Sequence, residues 1–527
     1  MTVRVCTVAG MRAREDQAFA AGASPYEVMR AAGEGTAAVI LARYPDVRTQ
    51  GAIVFVGTGN NGGDGWVIAG VLALEGCPVQ VESLGEPTSA DAHRAKDAAS
   101  VALERAAERG AVTAPAVVVD ALLGTGAKGE PRGAIADAIA RIDDLRAKGA
   151  RIVAVDIPSG IDATTGAGGR VVHADCTVTF DAMKQGLLLR RDETGALVVL
   201  DIGLPPLVDE DAARTLGPEL IDAAWVRSAV PPIPAAAHKG VRRRITIVGG
   251  GEGMAGAPML AARGALRSGI GMVRLLVAAT NVPVVQGALP EAMAARWPMT
   301  EEEQAPVLEW SHALLLGPGL GRGTKSRALI ERLLVIWRGP VVLDADALNV
   351  FEGEPRTLGS LLGARPAIVT PHPVEAARLM RLDPAAILAN RFIVGAELAR
   401  TLGAVVLLKG PPTVISAPDG RVAVVAAGSP ALGTGGSGDV LSGIVATLLA
   451  QLGDPFLAAA AGAWVHGRAG ELAAGIDLPT TDHRGPRSVR GANLGDVIDG
   501  LSLVWRLDDL PCRAPVRAEL PRVGGYR

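Results

Sequence analysis

Ala52-Ile53-Val54-Phe55-Val56-Gly57-Thr58-Gly59-Asn60-Asn61-Gly62-Gly63-Asp64-Gly65 joins an apolar run to a glycine-rich loop that opens a helix-like stretch. The same grammar returns far downstream at Gly433-Thr434-Gly435-Gly436-Ser437-Gly438-Asp439. Glycine lets a backbone approach a ligand closely and take positive φ, and the free N–H groups of the following helix's first turn point at an anion. Two such cradles predict two nucleotide sites.

Working outward, short Val- and Ile-rich runs recur at 52–56, 116–120, 151–155, 244–248, 312–316, 340–344, 366–370 and 404–408. Between them lie Ala-rich helical patterns such as 132–148, 256–268 and 439–451. This alternation predicts an α/β fold of parallel sheets covered by helices, with ligands gathered at the carboxyl ends of the strands. A break is legible where Asp201-Ile202-Gly203-Leu204-Pro205-Pro206 closes one strand and Pro231-Pro232-Ile233-Pro234 precedes a fresh one. The reading is a first domain over 1–220, a second over 221–509, and a Pro/Arg-rich tail over 510–527 expected to be disordered.

Composition narrows the function. A net charge of −3 over 527 residues, without a Lys/Arg block and with 3% aromatics, argues against a nucleic-acid partner. Cys6, Cys77, Cys176 and Cys512 form no CxxC pair, which fits reduced thiols. No apolar run approaches the roughly 20 residues that span a bilayer. The expectation is a cytoplasmic protein, a homo-oligomer, acting on small molecules. Only seven lysines occur, and Lys184, Lys239 and Lys409 fall inside the motif segments, where a compact ammonium could meet phosphate.

In the first domain Gly57-x-Gly59-x-x-Gly62 formally matches a dinucleotide fingerprint, with Glu82 ending the next strand-like run. Asn60, Asn61 and Asp64 are superfluous to an ordinary turn of that kind and compete with helix formation unless they bind something. Three further pieces fall at strand ends: Val119-Asp120-Ala121-Leu122-Leu123-Gly124-Thr125-Gly126, Val155-Asp156-Ile157-Pro158-Ser159-Gly160-Ile161-Asp162 and Thr179-Phe180-Asp181-Ala182-Met183-Lys184-Gln185-Gly186. Taken singly, Asp120 and Asp156 could merely cap the turns that follow.

Together with Met29-Arg30-Ala31-Ala32-Gly33, these segments resemble the NAD(P)H-hydrate epimerase family over most of residues 10–205. The resemblance implies a Rossmann-like α/β/α fold and a substrate hydrated across the C5–C6 bond of the nicotinamide ring. It implies that Asn60, Asn61, Gly62, Gly63 and Asp64, with Gly124, Thr125, Gly126, Ala127, Lys128, Gly129, Glu130 and Asp156, line the dinucleotide. Asn61, Asp120 and Ser159 would surround K+, an all-oxygen set suited to a hard cation. Asp156 is the expected acid–base group, and Lys184 a candidate second acid or phosphate ligand.

The second domain's GTGGSGD loop and Lys409-Gly410-Pro411-Pro412-Thr413 are similar to the ribokinase-like superfamily, whose fold is α/β/α. Such a loop stabilises charge on a transferred phosphoryl group, and the adjacent acid can activate the attacking oxygen. A bland alternative is a glycine turn whose Asp favours the helix dipole. His238-Lys239-Gly240, Gly249 to Ala257, Gly317-Pro318-Gly319-Leu320-Gly321, Leu343 to Asn349 and Thr370-Pro371-His372-Pro373 carry a narrower resemblance, to the ADP-dependent NAD(P)H-hydrate dehydratases, over nearly all of 235–505.

That resemblance implies that Ala257, Gly319, His372 and Asp439 contact the hydrated dinucleotide, and that Lys409, Gly410, Pro411, Pro412, Thr413 and Gly438 contact AMP or ADP, with Mg2+ expected. Asp439 is the expected base. His372, between two prolines, could equally be a structural turn residue. Val374, Ser429 and Pro411-Pro412 depart from the family pattern and put substrate fit and the ADP contacts in doubt. The expectation is a bifunctional repair enzyme that epimerises hydrated NAD(P)H and dehydrates its S form with ADP, giving AMP and phosphate. A vitamin or sugar kinase with an accessory domain, or a non-catalytic nucleotide-binding protein, stays open at this point.

Overall fold

The computed structural model describes residues 2–207, 210–476, 489–507 and 512–523. The chain forms two compact units, Met1–Pro218 with Leu510–Arg527, and Glu219–Asp509. Both are α/β.

The first unit contains β1 (Val5–Cys6), β2 (Ala52–Val56), β3 (Val79–Ser83), β4 (Val117–Ala121), β5 (Arg151–Val155), β6 (Cys176–Phe180), β7 (Met183–Lys184) and β8 (Ala196–Leu200). Its main sheet runs β8-β6-β5-β4-β2-β3 with parallel pairing, while β1 and β7 form a separate two-stranded parallel pair. Alternate residues feed opposite cores. Val54, Val56, Val119 and Val153 pack on one face, and Ile53, Phe55, Val118 and Ile152 on the other beside Ile139 and Ile142. Because both faces are covered, β2 is a continuous buried apolar run and β4 is buried throughout, apolar but for Asp120.

The second unit holds β9 (Glu219–Leu220), β10 (Arg244–Val248), β11 (Met272–Ala278), β12 (Ala292–Trp297), β13 (Ala313–Leu316), β14 (Val341–Leu343), β15 (Ala367–Val369), β16 (Val405–Leu408), β17 (Thr413–Ser416) and β18 (Val422–Val425). They form one sheet in the order β12-β11-β10-β13-β14-β15-β16-β17-β18-β9, in which only the β16-β17 and β17-β18 pairs are antiparallel. The helices Gly256–Arg267 and Ser437–Leu452 meet backbone to backbone: a Cβ on Gly443 would lie 1.9 Å from the Ala261 carbonyl oxygen, and one on Gly264 would lie 2.4 Å from that of Val440. Gly443→Ala is therefore expected to destabilise this unit by about 1–3 kcal/mol through overpacking, read as an earlier urea transition.

The tail departs from expectation. β19 (Val516–Leu520) adds antiparallel to β8 and extends the first unit's sheet. Pro and Arg content suggested a solvated chain, but the β8 edge offers a ladder of backbone partners. The arginines also find carboxylates: Arg517 pairs with Asp181 and Asp201, and Arg522 with Asp175.

The strand orders place the sites. In the first sheet β2 is flanked by β3 on one side and β4 on the other, so the chain leaves the two central strands in opposite directions. β10 and β13 do the same in the second sheet. Each switch point opens a crevice at the strands' carboxyl ends. The loops there are tightly fitted: a Cβ on Gly57 would lie 2.0 Å from the Leu122 oxygen, and one on Gly249 would lie 2.2 Å from the Pro318 oxygen.

Candidate active sites

At the first switch point the helix Asn60–Leu74 starts on Gly59, a cap residue with no side chain to offer. The first-turn N–H groups are thus left to a ligand or water. Not all of the glycine content serves a ligand. Cβ atoms on Gly62 and Gly65 would lie 1.9 Å from the Gly57 oxygen and 2.7 Å from Ala121 Cβ, so these two are required by packing, while one on Gly63 would meet the movable Met29 thioether at 2.6 Å. Asn60 accepts a hydrogen bond from Ser89 Oγ at 2.6 Å.

The loop after β4 turns at Gly124, whose oxygen accepts from the Ala127 N–H at 3.1 Å, and it borders a cavity of about 430 Å³. That volume lies within the usual range of small-molecule sites. Of residues 124–130, which the sequence reading assigned to the dinucleotide, Gly124, Ala127, Gly129 and Glu130 line it. Gly160, Asp162 and the 167–169 segment line it too, and these the sequence reading quoted only in part and did not assign. Positive φ at Gly160 and Gly168 is the local sign of that second wall, because Cβ atoms there would lie 2.1 Å from the Arg170 oxygen and 2.2 Å from the Gly160 oxygen respectively. Burial tends to raise the Asp162 carboxyl, but hydrogen bonds from Thr165 and Thr164, with a smaller contribution from Lys128, hold it below the ordinary value.

Asp156 directly follows β5 with φ +62°, a left-handed conformation that aspartate tolerates better than most residues. Its Oδ1 accepts from Lys184 Nζ at 2.5 Å and from Thr179 Oγ1 at 3.0 Å. Lys184, with 1% of its side chain exposed, also contacts Thr179 Oγ1 and the Phe180 oxygen, each at 3.0 Å. An ammonium has three donors, and all three are engaged. Lys184 therefore stands behind Asp156 as its anchor, rather than in the open as a second acid or phosphate ligand. Burial pulls its pKa down, but Asp156 and the neighbouring Cys6 and Glu15 outweigh that and hold it above the ordinary value.

Asp64 shares this neighbourhood. Burial, then the charges of Asp156 and Glu15, push its carboxyl well above the usual range. Glu15 is raised as well, chiefly by burial. The site thus gathers an aspartate bonded to a buried lysine and a second carboxyl that burial and neighbouring acids push upward.

Asp120 and Ser159 come together fully buried. Ser159 donates from Oγ to Asp120 Oδ1 at 2.6 Å and from its N–H to Oδ2 at 2.8 Å, and Ser159 Oγ accepts from the Leu123 N–H at 3.0 Å. Burial raises the Asp120 carboxyl to about 6, only partly opposed by these hydrogen bonds. No ammonium or guanidinium pairs with it among the described residues. Asn61 lies against Gly124 nearby, and its buried Nδ2 lacks a protein partner.

In the second unit, Gly436 at φ +93° caps the helix Ser437–Leu452 and places Asp439 in its first turn. Burial first, then Asp344, raise the Asp439 carboxyl to about 7 despite the opposing Lys409. Lys409 Nζ lies 2.9 Å from Asp344 Oδ1 and 3.7 Å from Glu375 Oε2. A Cβ on Gly438 would lie 3.3 Å from that Nζ, so the loop and the lysine are in contact. Asp344 and Glu375 are partners that sequence reasoning missed. Asp344 stood within a quoted motif, but nothing local marked it as the lysine's counter-charge.

Ala257 and Gly319 are neighbours, since a Cβ on Gly319, at φ +60°, would lie 3.0 Å from Ala257 Cβ. His372 caps the helix Pro373–Met380: its Nδ1 accepts from the N–H groups of Val374 at 3.1 Å and Glu375 at 3.4 Å, while its own N–H donates to Glu375 Oε2 at 2.8 Å. The structural reading of His372 describes Nδ1, while Nε2 lies 3.6 Å from Glu375 Oε1. In the 409–413 segment Thr413 Oγ1 bridges Gly410, and buried Arg391 donates to the Pro412 oxygen at 2.8 Å. These bonds brace a loop that Pro411 and Pro412 deprive of two N–H donors. Ser429 Oγ donates to the Gly470 oxygen at 2.8 Å, and buried His466 meets Ser437 Oγ at 3.2 Å. Helix Pro455–Ala473 thus supports the glycine loop from behind.

Each unit therefore sets a glycine-loop helix start, an acid and a lysine–aspartate pair at a switch point, which describes a two-site enzyme for nucleotides. Residues 25–186 match the family described as YjeF-related protein N-terminus, and residues 245–483 match NAD(P)H-hydrate dehydratase. A bifunctional NAD(P)H-hydrate repair enzyme from Moorella thermoacetica is 37% identical over 486 residues, covering 87% of this chain and 88% of the relative. That of Escherichia coli is 36% identical over 475 residues, with 88% of both chains covered. The solved ADP/ATP-dependent NAD(P)H-hydrate dehydratase of Bacillus subtilis, co-crystallised with ATP and Mg2+, is 28% identical, with a TM-score of 0.46 over 55% of this chain and 98% of its own. The chain belongs to the bifunctional NAD(P)H-hydrate repair enzymes. Kinship over most of the chain separates it from the vitamin and sugar kinases that the Gly433–Asp439 loop alone left open.

Proposed function

We propose that the first unit epimerises hydrated NAD(P)H at C6 and the second dehydrates the S epimer with ADP, with roles set by the two lysine–aspartate pairs. The observation that carries this reading is the contrast between carboxyls in one site, Asp156 bonded to Lys184 and Asp64 pushed upward by burial and its acidic neighbours. Epimerisation needs both kinds of group. Asp64 protonates the departing C6 hydroxyl as the ring nitrogen's lone pair expels it. Asp156 takes a proton from the water that returns on the other face. Gly124 to Glu130 and the first turn at Asn60 hold the rest of the dinucleotide.

K+ fits the Asn61, Asp120 and Ser159 group. The donors are oxygens, and the buried Asp120 carboxylate has no protein counter-charge. The ion would supply that charge and fix the loops after β4 and β5. Replacing K+ by tetramethylammonium is expected to slow epimerisation and lower the thermal midpoint of the first unit. Asp120→Asn is expected to make that midpoint insensitive to the exchange.

In the second unit Asp439 takes the C6 hydroxyl proton, and the oxygen accepts the β-phosphoryl group of ADP as AMP leaves. Phosphate then departs with the ring nitrogen's push, C5 loses a proton and the C5–C6 double bond returns. Lys409 and the N–H groups of the Gly436–Asp439 turn face the transferred charge. No three acidic, His or Cys side chains cluster tightly enough to hold a metal among the described residues. The site therefore suits Mg2+ arriving on the nucleotide's phosphates, with Asp344 or Asp439 as an outer partner.

The test is to incubate the enzyme with mixed epimers of hydrated NADH, with ADP, ATP or no nucleotide, and follow dihydronicotinamide absorbance and epimer composition. Full ADP-dependent recovery of both epimers is expected. Recovery that stops with the R epimer left overturns the first-unit assignment, and recovery without nucleotide overturns the second.

A further inference from the structure

The geometry points to Arg517, on the strand that follows the second unit in sequence, as a positioning residue of the first unit's catalytic site. It acts through the Phe180–Lys184 turn that carries the anchor of Asp156. Val516 pairs with Leu200 and Ala518 with Val199, so Arg517 is the extra residue of a β-bulge. Bulges re-aim a side chain out of the strand's alternation. The guanidinium donates from Nη1 to Asp181 Oδ1 at 2.9 Å, approaches the Asp181 carbonyl oxygen at 3.4 Å, and places Nη2 3.0 Å from Asp201 Oδ2.

Asp181 is the pivot. It is the residue between β6 and the turn into β7, it has φ +57°, and 3% of its side chain is exposed. A buried aspartate in the left-handed region persists only where its surroundings fix it. Three contacts do so: its N–H donates to the Leu200 oxygen at 2.8 Å, Arg14 Nε lies 3.4 Å from its Oδ2, and Arg517 holds its Oδ1. The residue before it, Phe180, gives its carbonyl oxygen to Lys184 Nζ, and the same Nζ meets Asp156. A continuous series of bonds thus runs from Arg517 through Asp181 and the turn to Lys184 and Asp156. With Arg517 removed, Asp181 keeps one guanidinium of two, and the turn that presents Lys184 loses the clamp on its outer side.

This inference rests on the reading of Asp156 as an epimerase acid–base group, and the experiment separates the two. Full-length Arg517→Met, Arg517→Lys and Asp156→Asn are assayed for epimerisation at saturating and limiting substrate across pH, and for dehydration of the S epimer. Arg517→Met is expected to lower the epimerisation kcat about ten- to hundredfold, with KM changed little, as displacement of a catalytic group does. Its pH profile is expected to move with kcat, and dehydration of the S epimer to stay at the wild-type rate. Arg517→Lys, which keeps the charge but not the fork, is expected to recover part of the loss. An Arg517→Met enzyme with wild-type kcat and pH profile overturns the inference, whatever its melting temperature, provided Asp156→Asn is inactive. An active Asp156→Asn enzyme instead overturns the reading beneath it.

Discussion

Asp439→Asn is expected to slow dehydration of the S epimer by roughly 10²–10⁴-fold, the usual contribution of a positioned general base, while epimerisation continues at the wild-type rate. The amide preserves shape and removes the proton acceptor. The wild-type pH dependence should identify the same group. Burial and the charge of Asp344 raise the Asp439 carboxyl to about 7. A base works when deprotonated, so kcat should fall as pH drops below about 7. Asp344→Asn removes a charge that raises this pKa, so the acid limb should shift to lower pH. It also releases Lys409 from its 2.9 Å partner, and the freed ammonium moves the limb the same way. A limb that stays in place in Asp344→Asn would assign it to another group.

Much of the fold was readable because buried parallel strands leave a continuous apolar signal. The runs at 52–56, 151–155 and 244–248 coincide with β2, β5 and β10. β12 escaped because this edge strand, Ala292-Met293-Ala294-Ala295-Arg296-Trp297, is Ala-rich and mostly part-exposed and looks like a helix fragment. β19 escaped for a different reason. Its arginine and glutamate look solvated until Asp181, Asp201 and Arg43 are in place to meet them.

The sites divide in the same way. Glycine loops are local, and the residues at 57–65 and 433–439 stood out without a structure. The reason for each glycine did not, since Gly62 clears the Gly57 oxygen rather than a ligand. Pairings made across strands are invisible in sequence. Lys184 and Lys409 were marked by their rarity and read as phosphate seekers, yet each is committed to an aspartate at the end of a different strand. A lysine already paired in this way serves first to set the charge and angle of its carboxylate.

That ordering gives the second large effect. Asp156→Asn and Lys184→Met are each expected to abolish epimerisation, so that a mixture of epimers supplied with ADP is consumed only until the S form is exhausted. Loss of rate alone would not separate chemistry from folding. Breaking a buried pair by removing one partner costs about 3–5 kcal/mol, because the other charge is left without compensation. Lys184 is 1% exposed and Asp156 13%, so both single variants should melt earlier in the first unit. Removing both charges relieves that penalty, since a buried pair replaced by groups of similar volume is often close to neutral. The Asp156→Asn, Lys184→Met double variant should therefore be more stable than either single variant, with a coupling of opposite sign to their separate costs. It should nonetheless epimerise no faster than they do. A double variant that regains both stability and activity would show the pair to be structural, and would move the acid–base role to Asp64 or Glu15.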